Sequence, residues 1–483
     1  MLCVPECSNL DCNGTAFILS FLGRFEQWFN ARSHLDLMSW LVSAARYEHP
    51  SGQRLTKDLL YPALEDVIRG TAVLSAQLPR PPAPPVWVRM PSVDLNKVVT
   101  FLDEPSSALQ TTIEDIYARS RVHGPDLPLW CLVVFNDGVV AFVYDHTAGD
   151  GKSGPAFHSL LLAALARVPN PPPAHSGIVE APSGDGAPSL VPSMEEAIDT
   201  SVPFLMVLRE LARVFLPGLF DRRRNTAWTG HPTQNPRVLE TRVRFSHVAP
   251  RDAGALVKLA RAHGTTLTGI MHTLAIMVLS RLILASDADA AAKYTALPTS
   301  IPISLRRYTG VPPTGFCNHV STHAAFHPFI FPSSSNPGTE EQVSEETFPW
   351  TTAAELTEAL KHKAPNSAPA VGMLKFLFGN YDATLLGRLG KKRAAALELS
   401  NLGPFPKATE GPEADGWQIR ELLFSQADAT LGAAIKINTV GSPDGGVGIG
   451  ITWGKGAVDD ELAEAFTEAF NEGLRTLAVS KEA

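Results

Sequence analysis

A chain of 483 residues is longer than one hydrophobic core can serve, since single cores stop growing near about 250 to 300 residues, so two domains are expected. Its 45% hydrophobic and 19% charged residues exclude a disordered or fibrous chain. A formal net charge of −8 gives no general attraction to nucleic acid or to an acidic membrane surface, which leaves a small molecule as the default partner.

Cys3, Cys7 and Cys12 crowd the first dozen positions, in neither a disulfide framework nor a paired zinc-binding pattern. Free thiols and no metal are expected. TAFILSFLG (15–23) is too short for a membrane span and lacks the basic lead of a secretory signal, so a cytoplasmic protein without a span is expected. DLLYPALEDVIRG (58–70) repeats apolar residues at three- and four-residue intervals, as an amphipathic helix does. LWCLVVF (129–135) and VVAFVYD (139–145) flank Asn136-Asp137-Gly138, a hairpin of buried strands, and KSGPAFHSLLLAALARV (152–168) follows with helical periodicity. The stretch between the second strand and that helix is therefore a strand-to-helix connection.

Residues 169–193 are dense in Pro, Gly and Ser and read as a linker or long mobile loop, dividing a first domain, 1–190, from a second, 191–483. Arg222, Arg223 and Arg224 could receive a phosphorylated cofactor but read better as a solvated face. PRDAGALVKLARAHG (250–264) and TTLTGIMHTLAIMVLSRLILA (265–285) are two helices, the second apolar nearly all round and hence central and buried; its His272 is read as a packing residue. A strand over 294–306, an exposed acidic loop over 331–350, a helix over 351–364, strands over 395–403, 431–440 and 445–454, and a helix over 459–478 complete the second half. Both halves thus mix α and β.

The connection YDHTAGDGKSG (144–154) carries the chemistry. Ala148, Gly149 and Gly151 let the backbone turn tightly and let a ligand approach. His146 projects from a rigid strand end, and an imidazole titrating near about 6.5 can take a proton from a hydroxyl or amine at neutral pH. Asp150 could orient that imidazole or pair with an arginine; a tight turn points the two side chains apart, which favours pairing, with Arg306 as the partner. The plain alternative is a turn with an incidental histidine.

His146-Thr-Ala-Gly-Asp150-Gly151 resembles the H-x-x-x-D-G signature of the chloramphenicol acetyltransferase superfamily, which includes plant BAHD acyltransferases and peptide-synthetase condensation domains. LGRFEQWFNARSHLDLMSWLVSAARY (22–47), LARAHGTTLTGIMHTLA (259–275), ISLRRY (303–308) and LSNLG (399–403) resemble segments of its fungal alcohol acetyltransferase branch. The plant D-F-G-W-G motif does not occur, and Asp145 stands where condensation domains carry a first histidine. The resemblance implies two chloramphenicol-acetyltransferase-like domains, each a mixed sheet flanked by helices, with His146 midway along an interface tunnel. It implies a monomer that transfers an acyl group, most simply acetyl, from acetyl-CoA or another acyl-CoA to a lipophilic alcohol such as a terpenoid or polyketide. His146 would be the base, and Ser400 or Asn401 would serve the oxyanion or the CoA. Alternatives on the same fold are CoA-independent chemistry, such as cyclisation, isomerisation, elimination or condensation, and non-catalytic ligand binding.

Overall fold

The computed structural model describes residues 17–38, 40–79, 85–120, 127–215, 222–287, 289–330, 343–406, 416–427 and 430–479. Cys3, Cys7, Cys12 and positions 331–342 of the expected acidic loop lie outside the described residues; Val343 and Phe348, from the remainder of that loop, are buried.

The first half carries strands β1 (Phe17–Phe21), β2 (Trp40–Glu48), β3 (Ala76–Gln77), β4 (Val86–Arg89), β5 (Ser92–Asp94), β6 (Val99–Leu102), β7 (Trp130–Phe135), β8 (Val139–Asp145) and β9 (Ile178–Glu180). The second carries β10 (Thr241–Val248), β11 (Leu297–Ser304), β12 (Val320–His327), β13 (Leu397–Asn401), β14 (Gln418–Gln426), β15 (Ile435–Gly441) and β16 (Val447–Gly454). Two large mixed sheets result, ordered β14-β2-β8-β7-β6 and β10-β16-β15-β13-β11-β12.

The expected hairpin is β7 and β8, paired antiparallel, with every residue of β8 buried as its unbroken apolar run requires. Its turn needs Gly138: φ is 85°, and a Cβ there would lie 2.6 Å from the Tyr47 carbonyl oxygen. Helices Lys57–Gly70 and Ser153–Leu165 bury Leu60, Leu64, Phe157 and Leu161 in the first core. In the second core, helix Leu267–Ser286 packs with helix Asp460–Val479 and the strands of the six-stranded sheet. By length and composition that helix could cross a membrane, yet it lies largely buried within the fold, and His272 sits in the core with its Nε2 2.9 Å from the Thr299 hydroxyl.

The halves are joined through their sheets. Strand β14 belongs to the second half of the chain but pairs antiparallel with β2 at the edge of the first sheet. It also lies against β16, where a Cβ at Gly448 would fall 1.8 Å from the Leu422 carbonyl oxygen and one at Gly450 would fall 2.4 Å from that of Phe424. The alternating glycines of GGVGIGITWG let two backbones touch where side chains would hold them apart. The Pro-rich tract is irregular for most of its length but is not free: β9 pairs with β5, Val179 is fully buried, and the Arg89 guanidinium donates to the carbonyls of Pro182 and Pro188. With its Pro182 and Pro188 carbonyls taken up by that arginine, the segment has fixed contacts that its composition does not announce.

Candidate active site

His146 follows β8 directly, where the chain leaves the middle of the first sheet. It is 8% exposed, and its ring lies flat on Phe29 of helix Arg24–His34, with centroids 3.6 Å apart and planes inclined by 9°. Its Nδ1 is 3.1 Å from Oδ1 of Asn318, whose Nδ2 donates to the main-chain carbonyls of His146 and Thr147, both at 2.8 Å. Those two donations fix the amide's orientation, so its oxygen faces the imidazole and can only accept. Nδ1 therefore carries the hydrogen, and Nε2 is left with its lone pair for the cavity. Burial, the leading cause, pushes the imidazole down to about 4, helped by the nearby Arg32 charge and opposed by a main-chain hydrogen bond and, more weakly, by Asp150 and Asp145; it is neutral at pH 7.

Asp150 is turned away from this ring. Its Oδ1 accepts from Arg306 Nη2 at 2.6 Å and its Oδ2 from Arg306 Nε at 3.3 Å, with both side chains buried. The same arginine donates to Ser153 Oγ at 3.0 Å and to the Gly315 carbonyl at 2.5 Å, while the Asp150 N–H donates to the Cys317 carbonyl at 2.9 Å. The segment after β11, residues 306–318, is thus clamped over the His146 turn, and Asn318 emerges from that clamp. Gly151 has no room for a side chain: a Cβ would meet Leu402 at 2.7 Å and Phe424 at 3.0 Å.

These residues border a cavity of about 150 Å³ between the two sheets. His146, Phe29 and Gly151 reach it from the first half; Ser400, Asn401 and Glu398 reach it from the second. All the expected site residues except Arg306 line it, and Arg306 is joined to it through Asp150. Ser400 and Asn401 differ in their freedom. Asn401 donates Nδ2 to Thr268 and accepts the Gly403 N–H on Oδ1, whereas the Ser400 hydroxyl takes no hydrogen bond among the described residues.

Sequence reasoning missed Asn318, Phe29 and the polar wall beside Ser400. In that wall Lys436 Nζ lies 3.6 Å from Glu398 Oε1, and Gln426 Nε2 donates to Glu398 and to Asn438. One signal was available: LELSN alternates, so Glu398 and Ser400 share a strand face. For Asn318 the sequence carries no local signal, because its partner is 172 residues away.

Two sheets meeting over a buried histidine define the two-lobed acyltransferase and condensation-domain fold. The trichothecene 15-O-acetyltransferase TRI3 from Fusarium sporotrichioides superposes with a TM-score of 0.65 over 95% of each chain at 11% identity. The condensation domain of the polyketide synthase MokA superposes with a TM-score of 0.55 over 96% of this chain and 98% of its own, at 10% identity. The chain belongs to the alcohol acetyltransferase family, whose sequence pattern matches residues 108–474. It is also similar to a probable alcohol acetyltransferase, crmB, of Aspergillus fumigatus, at 25% identity over 91% of this chain and 95% of that one. A second, FCK4 of Fusarium pseudograminearum, is 24% identical over 79% of this chain and 78% of its own.

Proposed function

We propose that this protein transfers an acetyl group from acetyl-CoA to a hydroxyl of a lipophilic small molecule, such as a terpenoid or polyketide, with His146 as general base. The observation that carries this reading is the hydrogen bond from His146 Nδ1 to Asn318, which leaves a neutral, lone-pair-bearing Nε2 on a cavity shared by both halves. An imidazole held near about 4 is too weak a base to form an alkoxide in advance, so it takes the hydroxyl proton as the new C–O bond forms. The acceptor oxygen attacks the thioester carbonyl, and the free Ser400 hydroxyl donates to the resulting oxyanion. Collapse breaks the C–S bond. The imidazolium, a strong acid in this site, returns its proton to the departing CoA thiolate. Asp150 and Arg306 act at a distance, holding the turn that aims His146.

Mass-spectrometric screening of alcohols with acetyl-CoA, with CoA thiol release followed in parallel, tests the reading. His146→Ala is expected to lower transfer by about 10²- to 10⁴-fold while melting like the wild type. Near-normal turnover in that folded variant would exclude His146 as the base, and product formation without acetyl-CoA would exclude acetyl transfer.

A further inference from the structure

The helix Phe204–Phe215 presents its apolar arc outward. At about 100° per residue, positions 204, 205, 208 and 211 fall within an arc of about 120°. Phe204 is 79% exposed, Leu205 74%, and Leu208 and Leu211 about half. The half-buried Met206, Val207 and Glu210 occupy the opposite side. A water-facing stripe of four large apolar residues is the reverse of what a surface helix of a globular protein buries.

A second apolar projection stands beside it. A Cβ at Gly372 would meet the Thr200 carbonyl and Val202, so the segment 373–379 starts from a point packed against the residues just ahead of this helix. There Phe378 is 83% exposed and held at a left-handed φ of 49°, a conformation unfavourable for any residue with a side chain. Phe376 is also exposed, with the Lys375 ammonium 5.0 Å from its ring centroid. Positive charge borders the patch. Arg209 is exposed at the edge of the helical arc, Lys375 is exposed beside Phe376, and no acidic residue lies within the arc.

We propose that helix Phe204–Phe215 and the 373–379 segment form a docking face for an anionic phospholipid surface, the aromatic and leucine side chains entering the acyl boundary and the basic residues meeting phosphate headgroups. An amphipathic helix of this make-up lies in the plane of such an interface. The net charge of −8 gives the whole molecule no such attraction; the local basic border supplies it. The location has a use. The 373–386 segment packs Leu374, Leu377 and Leu385 on Trp28 and Ala31 of helix Arg24–His34. A second cavity, of about 160 Å³, is bounded by Trp28, Leu385 and Arg388 and shares Arg32 and Glu398 with the His146 cavity. A lipid-dissolved compound entering there would reach the site without crossing water. Docking itself does not depend on the reaction at His146.

Flotation of the full chain with vesicles of 70% phosphatidylcholine and 30% phosphatidylserine is the test. The wild type is expected to float with these vesicles and much less with pure phosphatidylcholine. Phe204→Ser/Leu208→Ser, which alters only exposed positions, should keep the wild-type melting temperature and lose about tenfold or more of the bound fraction. Arg209→Glu/Lys375→Glu should remove the preference for phosphatidylserine. The proposal is overturned by a wild type that stays unbound, by equal flotation on both vesicles, or by Phe204→Ser/Leu208→Ser binding like the parent. A concentration-dependent dimer abolished in Phe204→Ser/Leu208→Ser would also overturn it, assigning the face to a second copy of the chain.

Discussion

At the scale of single residues, the assignment of His146 Nε2 as base depends on Asn318 holding the hydrogen on Nδ1. Asn318→Ala is expected to lower kcat by about 10- to 100-fold with KM little changed, because both tautomers then become available and the ring loses an orienting bond. Asn318→Asp should behave differently. A carboxylate beside the ring stabilises the imidazolium, so the acid limb of the kcat/KM profile should move to higher pH, whereas in the wild type activity should be flat near neutrality and fall only as pH drops through about 4. A profile left unmoved by Asn318→Asp would show that Nδ1 is not the nitrogen engaged. The motif H-x-x-x-D-G was legible because its six residues are local, and so was the pairing preference of Asp150, since a tight turn separates side chains. Asn318 was not legible, because nothing in FCNHV shows that the Arg306 clamp carries it back across the His146 turn.

At the scale of elements, the long helices and the β7–β8 hairpin follow from periodicity and turn chemistry, and they occur within a few residues of their expected limits. Strand β14 did not declare itself. Its pairing with β2 shifts register between Ile419 and Leu422, and such a bulge breaks the alternation by which a strand is read. Its neighbour was more readable, since glycine at every second position of GGVGIGITWG signals close approach of another backbone. Gly448→Ala tests that contact: the methyl group would meet a main-chain oxygen, which cannot rotate away, so a loss of about 1 to 3 kcal/mol or more is expected in urea melts. Asp150→Asn tests the other tie. It leaves the buried Arg306 guanidinium without its anion, and breaking such a pair costs about 3 to 5 kcal/mol. A variant as stable as the parent would mean that the remaining partners, Ser153 and Gly315, suffice.

For the whole molecule, acid stability follows from histidines buried in the neutral form. Burial, the leading cause in each, holds His146 and His158 down to about 4 and His272 to about 3. Unfolded, each titrates near about 6.5. As pH falls from that value towards 4, the unfolded chain binds protons that the folded one refuses, and stability should drop by about 1.4 kcal/mol per pH unit for each histidine. Urea melts at pH 7, 6 and 5 check this, and equal midpoints would contradict it. The halves 1–190 and 191–483 are expected to be inactive apart, because the first lacks β14 as well as Ser400. A cut within the exposed tip 183–186 should be tolerated, whereas deleting 178–182 should not, since Val179 and the Arg89 contacts lie there. The insertion of β14 also bears on how the chain is made. Arg46 on β2 meets Glu421 on β14 across 375 residues. At about 5 to 20 residues per second, a ribosome needs roughly 20 to 75 s to traverse that interval. Throughout that time the β2 edge offers unpaired backbone groups to any other nascent chain, so slower elongation or a missing chaperone should reduce soluble yield more than any instability of the finished fold.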